Sequence, residues 1–217
     1  MAEPARVVRI GELPSIAIAH GGRMLPLRGE LGIAAFGVNA YSAAAAADEL
    51  IEPHTETGGT GAGRHEEIYV VLTGRATFTV AGEEIDAPAG TAIFVGDPEA
   101  HRRAAAAEDG TTVLVVGGRV GEPFSPSPWE ASSLAAGFAE TGDFERARRY
   151  RDQALAEHPD HPHPLYNAAC TEAVVGEHDA ALEHLRRAIE LEPKAREWAA
   201  DDRQLDAIRD DPRFPGR

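Results

Sequence analysis

Glu67-Ile-Tyr-Val-Val-Leu-Thr-Gly74, preceded by His54 and His65, is the stretch on which the reading of this 217-residue chain turns. Ile68, Val70 and Leu72 alternate with Glu67, Tyr69 and Val71. Successive residues of a strand point to opposite faces, so one face carries His65, Glu67 and Tyr69 together. A carboxylate on an inward strand face must be paired, hydrogen-bonded or bound to a metal, because an ionised group left alone in apolar surroundings is costly. The stretch therefore predicts a strand, a turn at Gly74 and a polar site beside it.

Outward from this strand the chain reads as a succession of short β elements. Upstream, Val7-Val8 and Ile16-Ala-Ile18 predict an edge strand or two, and Leu31 to Ala40 predicts a strand whose glycines allow close backbone approach. The alanines from Ala43 to Ala47 favour helix by propensity, but the run is too short to be helical alone and reads as loop or strand edge. Thr55 to Gly63 is a glycine-rich loop. Downstream, Gly74-Arg75, Ala81-Gly82, Pro88-Ala89-Gly90, Gly96-Asp97-Pro98 and Asp109-Gly110 are turn signals. They separate runs such as Ala76 to Val80, Thr91 to Val95 and Thr111 to Val116. Short strands with glycine and proline corners predict an all-β barrel or jelly roll ending near Gly121.

Glu122 to Pro128 is a proline-rich, stiff linker, and beyond it the composition turns to Ala, Leu, Glu and Arg. Ser127-Pro128-Trp129-Glu130 offers a helix N-cap, proline at the first helical position and a glutamate at the capping-box position. Gly142, Ala147, Ala154, Leu155 and Pro159 recur as Gly176, Ala181, Ala188, Ile189 and Pro193, each displaced by 34 residues. On these positions the segment 131–193 resembles the tetratricopeptide family, with Trp198, Leu205 and Ile208 on a capping helix. Arg151 stands where the second repeat has Leu185. Two repeats plus a cap fall short of the usual three, so the helices are expected to lean on the barrel or on a second subunit, as in a homodimer. The expected class is α+β in two domains: 1–121 all-β, 122–128 linker, 129–217 all-α.

The formal charge of -15 is spread over both halves, with 17 acidic and 9 basic residues in 1–126 and 19 and 12 in 127–217. Nucleic acid and anionic membranes reward clustered positive charge, so neither is expected as a partner. The single cysteine, Cys170, excludes an intramolecular disulfide and a cysteine-rich zinc site, and reads as a small core residue. There is no run of about 18 apolar residues, and a cytoplasmic location is expected.

The β half resembles the cupin family over about residues 31–118, on two motifs. The first has paired histidines, then a glutamate, then six residues and a glycine; Glu67 and Gly74 match in spacing, with His54 and His65 upstream. The second leads from Gly90 through Gly96-Asp97-Pro98-Glu99-Ala100 to His101. The departures are that Glu56 stands at the second histidine position of the first motif, and that Gly96, Pro98 and Ala105 replace the proline, glycine and asparagine of the second. The resemblance implies a small β-barrel holding a divalent metal through His54, His65, Glu67 and His101. Imidazole with carboxylate suits iron, manganese, nickel, zinc or copper and leaves positions open for a small molecule. It implies oxygenase, isomerase or lyase chemistry. The alternatives are a Glu67 hydrogen-bonded to His54 or His65 without metal, and a non-catalytic sensor or scaffold whose repeats hold a peptide or protein partner. Glu56 reads as a lid or solvated residue, Tyr69 as packing, and the tract His158-Pro-Asp-His161-Pro-His163 as a solvated turn.

Overall fold

Buried and exposed residues alternate along several runs in the first half of the chain, and the buried faces form two sheets over one apolar layer. The computed structural model describes residues 5–57 and 63–215. The chain forms two compact units, Met1–Pro126 and Ser127–Arg217.

In the first unit the strands are β1 (Ile16–Ala17), β2 (Gly22–Leu25), β3 (Gly37–Ala43), β4 (Glu49–His54), β5 (Glu66–Thr73), β6 (Arg75–Val80), β7 (Glu83–Pro88), β8 (Ala92–Val95), β9 (Arg102–Ala106) and β10 (Thr111–Gly118). One sheet runs β1-β2-β3-β10-β5-β8 and the other β4-β9-β6-β7, with antiparallel pairing throughout. Tyr69, Val71, Ile93, Val95 and Val113 from the first sheet and Leu50, Ile51, Ala76, Phe78, Ala87, Ala104 and Ala106 from the second form a single buried cluster, so the sheets pack face to face. On β5 the inward set is Glu67, Tyr69 and Val71, while Ile68 and Leu72 lie on the outer face. The apolar members of the stretch are thus partly exposed, and the carboxylate faces in.

Gly74 joins β5 to β6 with φ +69°, and a Cβ there would sit 2.4 Å from Thr111 Oγ1 and 2.9 Å from Thr111 Cα. No other residue type fits both the angle and the space. The strand expected from Leu31 begins instead at Gly37. Leu27–Leu31 winds into a short helix, α1, and Ile33 N donates to the Arg28 carbonyl at 3.0 Å as the chain leaves it. The alanines after Ala43 are a turn, in which Ala47 has φ +72°.

The second unit consists of α2 (Pro128–Glu140), α3 (Phe144–Glu157), α4 (Pro162–Val175), α5 (His178–Leu191) and α6 (Ala195–Asp201), followed by a 3-10 turn at Arg203–Ile208. The starts of α2 and α4 and those of α3 and α5 are each displaced by 34 residues, and Gly142 and Gly176 take positive φ between the helices of each pair. Pro128 occupies the first helical position as expected, but Ser127 caps α2 without a side-chain hydrogen bond. Leu205 and Ile208 close the core formed by α4 and α5, and Cys170 lies in it. Arg151, where Leu185 stands one repeat later, answers to Glu177 and to the buried Glu172 at 3.5 Å. A charge thus replaces an apolar contact because its partners are charged too.

Candidate metal centre

Three elements converge on the inner face beside β5. His54 ends β4, Glu56 follows two residues later, and Glu67 opens the inward face of β5. The chain between His54 and β5 is tied down at Glu56, whose N–H donates to the Pro98 carbonyl and whose carbonyl accepts from Arg64 N, both at 2.8 Å. Glu56 is only 8% exposed. Its Oε2 accepts from Gly63 N at 2.9 Å and His65 N at 3.4 Å, which leaves Oε1 facing His54 Nε2 at 3.6 Å. Glu67 Oε2 lies 3.9 Å from the same His54 nitrogen.

His54 Nδ1 is 2.7 Å from the Glu52 carbonyl, an acceptor only, so this nitrogen carries the proton. Nε2 is left to present its lone pair, or a second proton, to the two carboxylates. Burial alone would lower the His54 pKa; the Glu67 carboxylate, the Glu52 carbonyl and Glu56 outweigh it, and the value is raised. For Glu67 burial works upward, and His54, Tyr69 and Arg102 more than reverse it, holding the carboxyl below its usual range. Burial and the Glu67 charge push the Tyr69 phenol up. Tyr69 therefore donates to Glu67 as a neutral hydroxyl, besides packing edge-on against Phe78 at 5.4 Å.

Arg102 completes the cluster. It is 1% exposed, pairs with Glu67 through Nη1 at 3.0 Å, and gives three further N–H donors, from Nε and Nη2, to the carbonyls of Asp97 and Ala100 at 2.8–2.9 Å.

The structure groups donors differently from the expected set. Among the described residues, the donors that come within 4.8 Å of one another belong to His54, Glu56 and Glu67. His65 and His101 are outside this group. His65 is buried on the far side of Glu56, with Nδ1 3.6 Å from Glu56 Oε2 and its ring 5.6 Å from that of Phe124. Its Nε2 is buried with no hydrogen-bond partner among the described residues. His101 is exposed, because β9 turns Arg102, Ala104 and Ala106 inward and its neighbour must then face out. Glu56, read from sequence as a lid residue, is instead fixed and buried; its signal was its place at the second histidine position. Arg102 was missed altogether, and the four consecutive alanines from Ala104 to Ala107 carry no alternation from which its inward face could be read. The glycine-rich loop lies in part outside the described residues, at 58–62.

The donor set suits a divalent ion. Ligand atoms bound to one metal at about 2.1 Å stand roughly 3–3.5 Å apart, close to the 3.6 and 3.9 Å separations from His54 Nε2. The imidazole is in the metal-ready tautomer, held by an outer carbonyl as ligating histidines are.

No protein-family model and no curated protein matches the sequence. Among solved structures, the chain is similar to a cupin protein from Bacteroides fragilis at 20% identity, covering 56% of this chain and 89% of that one, TM-score 0.40. It is similar to a predicted oxalate decarboxylase from Thermotoga maritima at 21% identity, covering 52% and 97%, TM-score 0.39. A sugar phosphate isomerase from a cupin superfamily, from Silicibacter pomeroyi, is similar at 19% identity, covering 53% and 76%, TM-score 0.42. Among the described residues, no helix is long and apolar enough to cross a membrane.

Proposed function

We propose that the β unit is a cupin-type barrel that holds one divalent transition metal through His54, Glu56 and Glu67 and takes a small polar molecule beside it. The observation that carries this reading is the convergence of an imidazole and two carboxylates within 4.8 Å on an inward face. Such an ion, when bound, supplies a Lewis acid or an oxygen-binding centre, which suits isomerase, lyase or oxygenase chemistry. The chain's own residues divide the remaining work. Glu52 orients His54, the N–H groups of Gly63 and His65 orient Glu56, and Tyr69 with Arg102 orients Glu67. Three protein ligands leave the other coordination positions to water or substrate. One imidazole with two carboxylates is a harder set than three imidazoles with one carboxylate, which favours manganese or iron over copper.

Elemental analysis of full-length protein purified without a chelating tag tests the reading. The expected result is near-stoichiometric metal after incubation with excess ion, lost in His54→Ala and Glu67→Ala. Less than about a tenth of an equivalent of any transition metal, unchanged in those variants, sinks it.

For the second unit we propose a tetratricopeptide-type pair of helical hairpins that serves as a docking module for a peptide or protein. Its support is the displacement by 34 residues of helix starts and inter-helix glycines alike. An experimental structure of the full chain tests it. One rotation should relate the α2–α3 pair to the α4–α5 pair, and unrelated packing of the two pairs rejects it.

A further inference from the structure

One oxygen of Glu67 has three claimants. Oε2 accepts from Tyr69 Oη and from Arg102 Nη1 at 3.0 Å, and the same atom is the one that faces His54 Nε2 at 3.9 Å. A carboxylate oxygen has two lone-pair directions, so an ion bound at Oε2 competes with Tyr69 and Arg102 for them. Arg102 cannot swing away. Its Nε donates to the Ala100 carbonyl at 2.9 Å and its Nη2 to the carbonyls of Asp97 and Ala100 at 2.8 Å, in a position 1% exposed. A fixed positive charge therefore sits against Glu67 whether or not a metal is present.

We propose that Arg102 is a built-in counter-cation that sets how tightly the site holds a divalent ion. This rests on the reading of His54, Glu56 and Glu67 as the ligand set. Arg102 opposes the ion twice, by taking a lone pair on the ligand atom and by placing a like charge beside the incoming cation. It also removes the need for the ion. A buried carboxylate without a partner is strongly destabilising, and here the guanidinium already neutralises it. The wild-type site is thus stable empty and binds its metal exchangeably. Tyr69 shares the first effect and not the second, because it brings a donor and no charge.

The test uses full-length protein stripped with a chelator and titrated with Mn²⁺ and with Zn²⁺, read by calorimetry and by the shift in thermal midpoint. Arg102→Gln is expected to bind Mn²⁺ about ten-fold tighter or more than wild type, with a larger metal-induced rise in midpoint. Arg102→Lys keeps the charge and stays near wild type. Tyr69→Phe tightens binding by about two- to five-fold, and Arg102→Met, of similar length and no charge, takes the place of Arg102→Gln if that variant does not fold. Equal or weaker binding by folded Arg102→Gln, or by Arg102→Met in its place, overturns the proposal while a metal-binding wild type leaves the ligand reading intact. Metal bound by Arg102→Gln and not by wild type supports the proposal and rejects a metal-dependent native site. No metal bound by either rejects both.

Discussion

Replacing His184 by Gln should flatten the pH dependence of the helical unit's stability. In α5 the His184 Nδ1 lies 2.8 and 3.0 Å from the two oxygens of Glu172, whose side chain is 3% exposed. That hydrogen bond raises the His184 pKa, against burial, and the charges of Glu172 and Glu183 add to it while Arg151 subtracts. The folded state therefore holds the proton more tightly than the unfolded one. The contribution is whole below the unfolded value near 6.5 and drains as pH rises through the higher folded value. A charged hydrogen bond is worth about 1.5–3 kcal/mol, and discounting it because the imidazole is partly solvated leaves ~1 kcal/mol, or about 0.5 M in urea midpoint. Both tryptophans, Trp129 and Trp198, belong to this unit, so their fluorescence follows its unfolding. Burial depresses the pKa values of His161, with help from His163 and His158, and of His163, so these groups tilt the curve the other way. The quantity to plot is therefore wild type minus His184→Gln, from pH 6 to pH 9. The difference should be largest at the acid end and shrink upward. Parallel curves, or a gap that widens with pH, would refute a charged His184–Glu172 pair.

The candidate metal site and the β unit give two sharper contrasts. Glu56→Gln keeps an acceptor for Gly63 and His65 and removes a ligand charge, so Mn²⁺ affinity should fall at least about 100-fold by calorimetry, whereas His101→Ala should leave it unchanged. Gly74→Ala forces a Cβ to within 2.9 Å of Thr111 Cα at φ +69°. It should cost the barrel about 1–3 kcal/mol, seen as a lower midpoint in the far-ultraviolet β signal with the tryptophan transition unmoved.

Periodicity was legible wherever a rule of two or of 34 held without interruption. The inward Glu67 and Tyr69 followed from alternation alone, and the paired helices followed from the spacing of Gly142 and Gly176. The β strands that were not foreseen carry their polarity against expectation. Residues 83–88 include Glu83, Glu84 and Asp86 on an edge strand, and residues 102–106 open with two arginines, the first of which is buried. Propensity has little to say about either, since register, not composition, decides which face such a residue takes.

The donors that the structure groups together differ from the expected set for a related reason. Placing His101 meant counting forward from Gly90 across Gly96-Asp97-Pro98-Glu99-Ala100, a stretch that leaves the sheet after Val95 and turns on an Ala100 N to Asp97 carbonyl bond of 3.1 Å before pairing resumes. A count through a turn does not preserve parity; a count within a strand does. Run back from Ala106 and Ala104, which the structure buries, that parity places Arg102 inside and His101 outside. Glu56 was read as a lid or solvated residue because it lies in the glycine-rich loop. With a guanidinium in the interior, two carboxylates become the expected complement. Arg102 balances one of them, and the other, Glu56, is left with its Oε1 turned to His54. The charge inventory of the cluster thus follows from the direction of a single side chain on β9.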